Sequence, residues 1–325
     1  MRILKRKKRT REYYYLQHSF RTLKLARLNH KSDLAPQSLH SKLLGKASLG
    51  RQIGKTDFSE NGKVITREKY IGKKLPPVGK LADVKRKFFE ECYKQNLFKV
   101  LYKIKTGFQK EWSKYPKSIK DKVEEQIAIA FTYNTNAIEG STITLEETHE
   151  LLEHGITPNK PLRYTQESIA HEQVFLEILK KKENLSIPTL LRWHKKVFGE
   201  TKKDIAGRFR EYLVRIGAYI APDWQNVNKL MKELIKFYRK NNRINPIELA
   251  ARMHYKFEMI HPFGDGNGRV GRLLMNYILW HHKYPMLIIE YKKRKSYYKS
   301  LQKGEDGFVS YFIRRYLAVH KKYTG

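Results

Sequence analysis

The feature that most constrains the fold of this chain is a twelve-residue stretch, HPFGDGNGRVGR, at positions 261–272. Apolar residues recur at helical spacing in IELAARMHYKFEMI before it and in LLMNYILWHH after it. The glycines at positions 264, 266 and 268 permit unusual backbone dihedrals and a close approach to a ligand. The stretch therefore predicts a short loop that turns the chain from one helix directly into the next.

The residues of this loop have the chemistry of a phosphate site. Backbone amides at a helix N-terminus attract phosphate oxygens, and Arg269 and Arg272 lie three residues apart on one face of that helix. Arginines there oppose the helix dipole unless an anion or a carboxylate lies beside them. Asp265 can bind Mg²⁺, and His261 can accept a proton from a hydroxyl group. Each residue alone is also common as a cap or turn residue, but their combination predicts nucleotide chemistry.

The rest of the chain predicts a mainly helical protein. A first helix follows Asp83 as its N-cap, and a second runs from Pro116 to a stop at Gly140. TLEE at positions 144–147 is a capping box that opens the next helix. Further helices are predicted over residues 163–182, 188–198, 224–241 and 246–259, the last with Asn245 as its cap.

Two regions break the helical pattern. Residues 1–80 begin with a basic arm and hold two β-prone stretches, TREYYYLQHSF and GKVITREKYIGKKLPP, separated by a segment that contains Ser, Lys and Gly. The second region, GRFREYLVRIGAYIAPDW, predicts an extended hairpin. We therefore expect a small basic β element with a linker over residues 1–80, a helical region over 81–160 and a core over 161–325.

The charge balance restricts the partners of the chain. Lys and Arg number 67 against 32 Asp and Glu, and the formal net charge of +35 attracts polyanions or acidic proteins. The tyrosines of the first region can stack on nucleic acid or can line a β-hairpin; they are Tyr13, Tyr14, Tyr15 and Tyr70. The single cysteine, Cys92, excludes an intrachain disulfide, and no apolar run has the length of a membrane span. Since the start also lacks a secretory signal, we expect a cytoplasmic protein without membrane association.

HPFGDGNGRVGR resembles the signature of the Fic family, His-Pro-Phe-x-(Asp/Glu)-Gly-Asn-Gly-Arg-x-x-Arg, at every defined position. The resemblance implies a Fic-type helical bundle with a β-hairpin flap over roughly residues 120–320, with 161–325 as the catalytic core. It implies a protein adenylyltransferase that moves AMP from ATP to a Ser, Thr or Tyr hydroxyl of a target protein. By position, His261 would be the base and Asp265 the Mg²⁺ ligand. The phosphates would be held by Gly266, Asn267, Gly268, Arg269 and Arg272.

Two further segments gain a role from the same resemblance. LVRIGAYIAP lies where the family carries its flap, which would bind a segment of the target protein by strand addition. The residues that would border the nucleotide there are Val214, Arg215, Ile216 and Gly217. SYYKSLQKGEDG is similar to the segment whose paired tyrosines, here Tyr297 and Tyr298, lie near the adenine.

TNAIEG at positions 135–140 resembles the inhibitory motif (Ser/Thr)-x-x-x-Glu-(Gly/Asn) of one Fic class. In that class the glutamate pairs with the second signature arginine, so Glu139 would pair with Arg272 and exclude the γ-phosphate of ATP. Thr135 and Gly140 complete the motif, although the same residues would also serve simply to end a helix. The resemblance implies an autoinhibited enzyme whose inhibition depends on Glu139.

Three alternatives stay open at this point. The first is the reverse reaction, in which Glu139 aligns a water molecule that removes AMP from a modified protein. The second is transfer of another phosphate-linked group, although Gly268 argues against the kinase-like branch of the family, which has lysine there. The third is a basic nucleic-acid-binding protein with a vestigial Fic module. Self-modification and a homodimer are also compatible with the sequence.

Overall fold

The structure, a computed structural model, describes residues 2–8, 10–21, 24–25, 58–59, 64–181, 183–217, 219–241 and 243–324. Over these residues the protein is mainly helical, with a small β element near the N-terminus and a later hairpin, which confirms the predicted fold class. The segment between the two β-prone stretches lies mostly outside the described residues.

The described residues belong to two compact units. The first unit holds the described residues up to Phe108 together with residues 320–324, and the second holds residues 109–319. The division into 1–80, 81–160 and 161–325 that the sequence suggests stays a prediction.

The first unit contains five strands, which are β1 (Arg2–Lys8), β2 (Arg11–Arg21), β3 (Lys24–Leu25), β4 (Phe58–Ser59) and β5 (Val64–Gly72). Three of them form an antiparallel sheet in the order β1-β2-β5, and β3 and β4 form a separate pair. The two β-prone stretches of the sequence are therefore neighbours, and Tyr15 of β2 lies opposite Tyr70 of β5. Because side chains alternate along a strand, Leu16 faces the other side of the sheet.

One face of this sheet packs on helix α1 (Val78–Ser113). Leu16 is fully buried and forms a cluster with Phe88 and Cys92 of that helix. Burial of a side chain of this size stabilises the fold by about 1.5–3 kcal/mol. The prediction of Asp83 as the N-cap is wrong, because α1 begins five residues earlier. The carbonyl of Pro77 accepts the first helical hydrogen bond, from the amide of Leu81 at 2.9 Å.

The second unit is a set of helices. They are α2 (Lys117–Ile138), α3 (Leu145–His154), α4 (Leu162–Lys180), α5 (Ile187–Phe198), α6 (Trp224–Lys240), α7 (Pro246–Ile260), α8 (Asn267–His281), α9 (Arg294–Leu301) and α10 (Gly304–Val319). The four helices predicted after residue 160 are confirmed to within two residues at each end. Helix α8 is buried along almost its whole length, so the signature loop leads into the core. Among the described helices, none has both the length and the apolar character that crossing a membrane requires.

The helix ends follow the local sequence signals. Thr144 accepts a hydrogen bond from the amide of Glu147, whose carboxylate accepts one from the amide of Thr144, so the capping box is confirmed. Asn245 accepts a hydrogen bond from the amide of Ile247 at 3.0 Å and caps α7 as predicted. The stop after α2 is also confirmed, since Gly140 has φ 93°, a conformation that favours glycine.

The predicted hairpin lies between α5 and α6. It consists of β6 (Arg215–Ile216) and β7 (Tyr219–Ile220), which pair antiparallel. The strands are shorter than the alternating pattern suggests, because Phe209 and Tyr212 precede them in irregular backbone. The hairpin is thus confirmed as an element, with two residues in each strand.

Candidate active site

The loop from residue 261 to residue 266 joins α7 to α8 through two unusual backbone conformations. His261 ends α7 with φ 49° and ψ 61°, a left-handed conformation that is rare for residues other than glycine. Gly266 precedes α8 with φ 78°, and a Cβ atom there would lie 2.3 Å from the Phe198 ring. The loop therefore requires glycine at position 266 for its conformation and for the space it has.

The Asn267 side chain braces the loop. Its Oδ1 atom accepts a hydrogen bond from the amide of Phe263, and its Nδ2 atom donates one to the carbonyl of Phe263, both at 2.9 Å. The amide of Gly266 donates to Oδ1 of Asp265 at 2.5 Å. The Asn267 side chain is buried and bonded to Phe263, so a phosphate could accept a hydrogen bond only from its backbone amide.

The His261 imidazole is half-buried at the start of the loop. Its Nδ1 atom lies 3.4 Å from the carbonyl oxygen of Glu258. Because a carbonyl oxygen can only accept, this contact favours a proton on Nδ1 and leaves Nε2 free to accept another proton. Burial lowers the pKa of His261, which keeps the ring neutral near pH 7.

A buried arginine, Arg210, connects this loop to the hairpin segment. Its Nε atom donates to the carbonyl of His261 at 2.8 Å, and its backbone amide donates to the carbonyl of Pro262 at 2.9 Å. The Nη1 atom donates to the carbonyl of Tyr212 at 2.7 Å, and the Nη2 atom donates to that of Pro222 at 2.6 Å. One side chain thus fixes the backbone of the candidate base relative to both ends of the hairpin segment.

The Asp265 carboxylate is bound by a lysine. The Nζ atom of Lys202 lies 2.8 Å from Oδ2 of Asp265 and 3.0 Å from Oε1 of Glu167. Glu167 also forms a buried ion pair with Arg269. Burial acts to raise the pKa of Asp265, but the Lys202 ammonium outweighs it and holds this pKa below its usual range. Two carboxylates and two cations therefore alternate beside the loop.

Arg272 is 1% exposed and contacts the end of α2. Its Nε atom donates to Oγ1 of Thr135 at 2.5 Å, and its Nη2 atom donates to the carbonyl of Thr135 at 3.1 Å and to Oε1 of Glu139 at 2.6 Å. Burial acts to lower the pKa of Arg272, but Glu139 outweighs it and the pKa rises, so the guanidinium stays charged. Its Nη1 atom is buried and has no hydrogen-bond partner among the residues that the structure describes.

Gly268 lies directly against this ion pair. A Cβ atom at this position would lie 2.2 Å from Oε1 of Glu139 and 2.9 Å from Nη1 of Arg272. The absence of a side chain leaves room for the Glu139 carboxylate over the first turn of α8. Gly140 ends α2 directly after the glutamate. The structure thus brings the segment that resembles an inhibitory motif to the second arginine of the signature.

A cavity of about 240 Å³ opens beside these charges. It is lined by Asn136, Glu139, Ser141, Arg163, Tyr164, Glu167, Lys202, Asp265 and Arg269. Three of these residues carry carboxylates and three carry cationic groups. A polar cavity with this mixture of charges suits a charged ligand better than an apolar one.

The hairpin lies close to the signature loop. A Cβ atom on Gly264 would lie 2.1 Å from the hydroxyl of Tyr212, so the hairpin segment contacts the loop backbone. The carbonyl of Val214 accepts a hydrogen bond from the amide of Ala221 at 3.0 Å and closes the hairpin. The residues predicted to border a nucleotide follow at its tip: Arg215 and Ile216 are exposed in β6, and Gly217 turns the chain with φ 59°.

The two tyrosines expected near an adenine have different surroundings. Tyr297 is 1% exposed, and its hydroxyl lies 2.8 Å from Nε2 of the buried His254. Tyr298 is 41% exposed, and its hydroxyl donates to the carbonyl of Ile138 at 3.3 Å. The ring of Tyr298 has surface available to a ligand, whereas that of Tyr297 belongs to the core.

Patterns in the sequence did not predict three residues of the site, Glu167, Lys202 and Arg210. Their partners are distant along the chain, since Glu167 and Arg269 are 102 residues apart and Arg210 and His261 are 51 apart. The one available signal is that Glu167 lies on the buried face of α4, where an unpaired carboxylate would be unfavourable.

The carboxylates offer a partial set of metal ligands. Within the described ranges, no three His, Cys, Asp or Glu side chains converge to form a metal site. Mg²⁺ usually binds one or two carboxylates and completes its shell with water and substrate phosphates. Asp265, with a half-exposed side chain beside the cavity, fits that role only when phosphates supply the other ligands.

Comparison with known proteins identifies the fold and the loop. Residues 184–279, which include the whole signature, match the Fic/DOC family. The chain is 34% identical over 200 residues to protein adenylyltransferase fic-1 of Caenorhabditis elegans, covering 59% of this chain and 39% of the relative. It is 34% identical over 189 residues to protein adenylyltransferase Fic of Nematostella vectensis, covering 56% of this chain and 44% of the relative. The chain thus matches about two-fifths of the length of these curated relatives.

Solved structures agree with this assignment. A structure of Fic-1 residues 134–508 from Caenorhabditis elegans superposes with a TM-score of 0.62 at 28% identity, over 76% of this chain and 77% of that one. A Fic domain containing signaling protein from Bacteroides thetaiotaomicron has the same fold, with a TM-score of 0.61 at 23% identity over 70% of this chain and 97% of that one. Residues 184–279 are thus similar to the Fic/DOC family, and the chain shares its fold with these solved structures.

Proposed function

We propose that the protein is an adenylyltransferase that moves AMP from ATP to a hydroxyl group of a protein and that Glu139 inhibits it. The observation that carries the proposal lies near the N-terminal end of α8, where the buried Arg272 bonds Glu139 at 2.6 Å and keeps its Nη1 atom without a partner among the described residues. A buried, unpaired guanidinium nitrogen beside helix amides is suited to a phosphate oxygen. The names of the curated relatives support this reaction.

The reaction is a displacement at the α-phosphorus of ATP. The acceptor hydroxyl oxygen forms a bond to this phosphorus, the bond to the bridging oxygen of the β-phosphate breaks, and pyrophosphate leaves. The proton of the hydroxyl goes to Nε2 of His261, which is neutral near pH 7 because burial lowers its pKa. The amides of α8, Arg269 and Arg272 neutralise and position the phosphates, and this supplies much of the rate.

Asp265 would hold Mg²⁺ together with phosphate oxygens. The metal would neutralise charge that builds up on the leaving pyrophosphate. Asp265 fits this role because it lines the polar cavity and because Mg²⁺ needs few protein carboxylates when a nucleotide is bound. Arg210 keeps the His261 backbone in place relative to the hairpin while the substrates bind.

A protein target is supported by the surface around the hairpin. Several large apolar residues are exposed there, each by 38–51%: Tyr212, Leu213, Ile216, Tyr219, Ile220 and Trp224. An exposed strand edge can bind an extended peptide through its main chain, and exposed apolar side chains of this kind mark binding surfaces. We propose that a segment of the target protein, or of a second copy of this chain, lies along the hairpin with its hydroxyl towards His261.

The decisive experiment follows AMP from ATP labelled in the α-phosphate. The Glu139→Gly variant should label itself or added proteins more strongly than the wild type, and the Glu139→Gly/His261→Ala double variant should label nothing. Mass spectrometry should find the increment of one adenylate on Ser, Thr or Tyr. Release of AMP from a modified protein, with no transfer by Glu139→Gly, would favour the reverse reaction, and a different mass increment would change the assignment.

We also propose a second, separate activity for the first unit, the binding of single-stranded nucleic acid. Five of the seven residues of β1 are basic and none is acidic. On the sheet face opposite Leu16, the Tyr70 ring lies 5.3 Å from the Tyr15 ring and 6.2 Å from the Tyr13 ring, and the Arg6 guanidinium lies 4.9 Å from the Tyr15 ring. Aromatic rings among cationic side chains are the arrangement on which unpaired bases stack.

Fluorescence anisotropy of a labelled oligothymidylate tests this second proposal. Tyr70→Ala should weaken binding about tenfold, since stacking of one base contributes about 1–3 kcal/mol, while Tyr70→Phe should bind like the wild type. The matched control is Tyr102→Ala, which removes a tyrosine that is 61% exposed on α1. Equal affinity of Tyr70→Ala and the wild type, or equal affinity for duplex DNA, would contradict the proposal.

A further inference from the structure

The ammonium group of Lys202 lies where a cation would bind between two carboxylates. It contacts Oδ2 of Asp265 at 2.8 Å and Oε1 of Glu167 at 3.0 Å, so it bridges a residue of the signature loop and a residue of α4. Its side chain is about one-quarter exposed, and it lines the charged cavity. Lys202 therefore already neutralises the carboxylate that is proposed to bind Mg²⁺.

The surrounding structure holds Lys202 in this position. Its backbone amide donates to the carbonyl of Phe198 at the end of α5 at 2.8 Å, and its ammonium lies 4.8 Å from the centre of the Phe198 ring. The neighbouring Thr201 hydroxyl donates to Oε1 of Glu167 at 2.9 Å. Contacts with Phe198 and with the two carboxylates therefore hold both the backbone and the ammonium group of Lys202 in place.

The charges at this place balance when Lys202 is present. Two carboxylates, those of Glu167 and Asp265, face two cations, those of Arg269 and Lys202. A divalent cation added to Asp265 would place two further positive charges next to an ammonium in a partly buried site, where screening by water is weak. Phosphates of a bound nucleotide would restore the balance by attracting the ammonium away from Asp265.

We infer that Lys202 competes with the divalent cation for Asp265, so that this protein binds the metal tightly only together with a nucleotide. This inference rests on the proposed role of Asp265 as a metal ligand. It gives Lys202 the role of a positioning residue that stays paired with Asp265 until the nucleotide arrives. The order of binding, with the metal entering beside the phosphates, follows from this competition.

Titration of the full chain with Mn²⁺ in the absence of nucleotide tests the inference. The free ion is measured by its electron paramagnetic resonance signal, so transfer activity plays no part in the readout. Lys202→Met should bind Mn²⁺ at least tenfold more tightly than the wild type, and Lys202→Gln should do the same if the methionine variant folds poorly. Lys202→Arg, which keeps the charge, should resemble the wild type.

Two controls separate this effect from a general loss of positive charge. Lys203→Met removes the next lysine, which is exposed, and should leave Mn²⁺ affinity unchanged. Lys202→Met/Asp265→Asn should lose the gain, because the proposed ligand is gone. The inference is overturned if Lys202→Met and Lys202→Gln bind Mn²⁺ no better than the wild type, or if the gain survives Asp265→Asn.

Discussion

The Nη2 atom of Arg272 lies 2.6 Å from Oε1 of Glu139, although 133 positions separate the two residues in the chain. Arg272 is buried near the N-terminal end of α8, and a buried charge favours a partner of opposite sign beside it. In this structure the anion is a carboxylate from the end of α2, and the hydroxyl and carbonyl of Thr135 support the same guanidinium. Glu139 and a nucleotide phosphate would therefore compete for one cation.

Removal of the Glu139 carboxylate should raise activity and lower stability together. Glu139→Gly should increase AMP transfer at least tenfold, because Arg272 becomes available to ATP. It should also reduce the free energy of unfolding by about 1–3 kcal/mol, since a buried charged group loses its partner. Labelled ATP and urea denaturation measure the two effects.

The matched control for this variant is Glu146→Gly, which removes a carboxylate in the first turn of α3. It should not change AMP transfer. Unchanged transfer in Glu139→Gly, in a protein that remains folded and binds ATP, would remove the inhibitory role of Glu139.

A side chain at position 268 should act through Glu139. The Cβ atom of Gly268→Ala would lie 2.2 Å from Oε1 of Glu139, so the carboxylate has to leave its present place. The substitution should therefore destabilise the wild type by about 1–3 kcal/mol and destabilise the Glu139→Gly background much less. Denaturation of the four proteins of this double-mutant cycle gives the coupling energy. Equal losses in both backgrounds would show that the alanine disturbs something other than the ion pair.

The pH dependence of transfer should report the environment of His261. Burial lowers the pKa of this imidazole below the usual value of about 6.5, and the Arg210 cation lowers it further. Transfer by a neutral base is lost as the pH falls through that pKa. The acidic limb of kcat/KM for Glu139→Gly should therefore have a midpoint below about 6.5. A midpoint clearly above 6.5 would exclude a buried, neutral His261 as the base.

Local signals in the sequence predicted the helices, the caps and the hairpin. The ion pairs of the site depend on residues that are distant in the chain. Four of the helices after residue 160, the capping box at Thr144 and the hairpin were predicted, because periodicity, caps and turn residues act within a few positions. The prediction of Asp83 as the N-cap was wrong because α1 begins at Val78, and the carbonyl of Pro77 accepts its first hydrogen bond, from the amide of Leu81.

The charge network around Asp265 could not be predicted from the sequence. Lys202 lies in one of many basic stretches of a chain with a net charge of +35, and nothing local distinguishes it from its neighbour Lys203. The contact with Asp265 arises because α5 and the signature loop are packed together, with His194 of α5 donating to the Asp265 carbonyl. The ion pairs of Lys202 depend on how the fold packs distant segments together. The ion pair of Glu139 with Arg272 was predicted because TNAIEG resembles the inhibitory motif of one Fic class.

Three buried histidines should make the fold sensitive to mild acid. Burial lowers the pKa of His194 to about 4 and the pKa values of His171 and His254 to about 3. The amide of Gly207 donates to Nδ1 of His194 at 2.9 Å, so protonation of that atom would break a buried hydrogen bond.

The sign of the effect follows from these pKa values. Between about pH 6.5 and pH 4 the unfolded chain binds protons at these histidines and the folded chain does not, so the free energy of unfolding falls as the pH falls. Each histidine contributes about 1.4 kcal/mol per pH unit in that range, and Glu258, whose pKa burial raises to about 8, cancels one such contribution. Urea denaturation at pH 7, 6 and 5 should therefore show a steep loss, and His194→Gln should reduce the slope. A free energy of unfolding that stays constant from pH 7 to pH 5 would mean that these rings are not kept neutral by the fold.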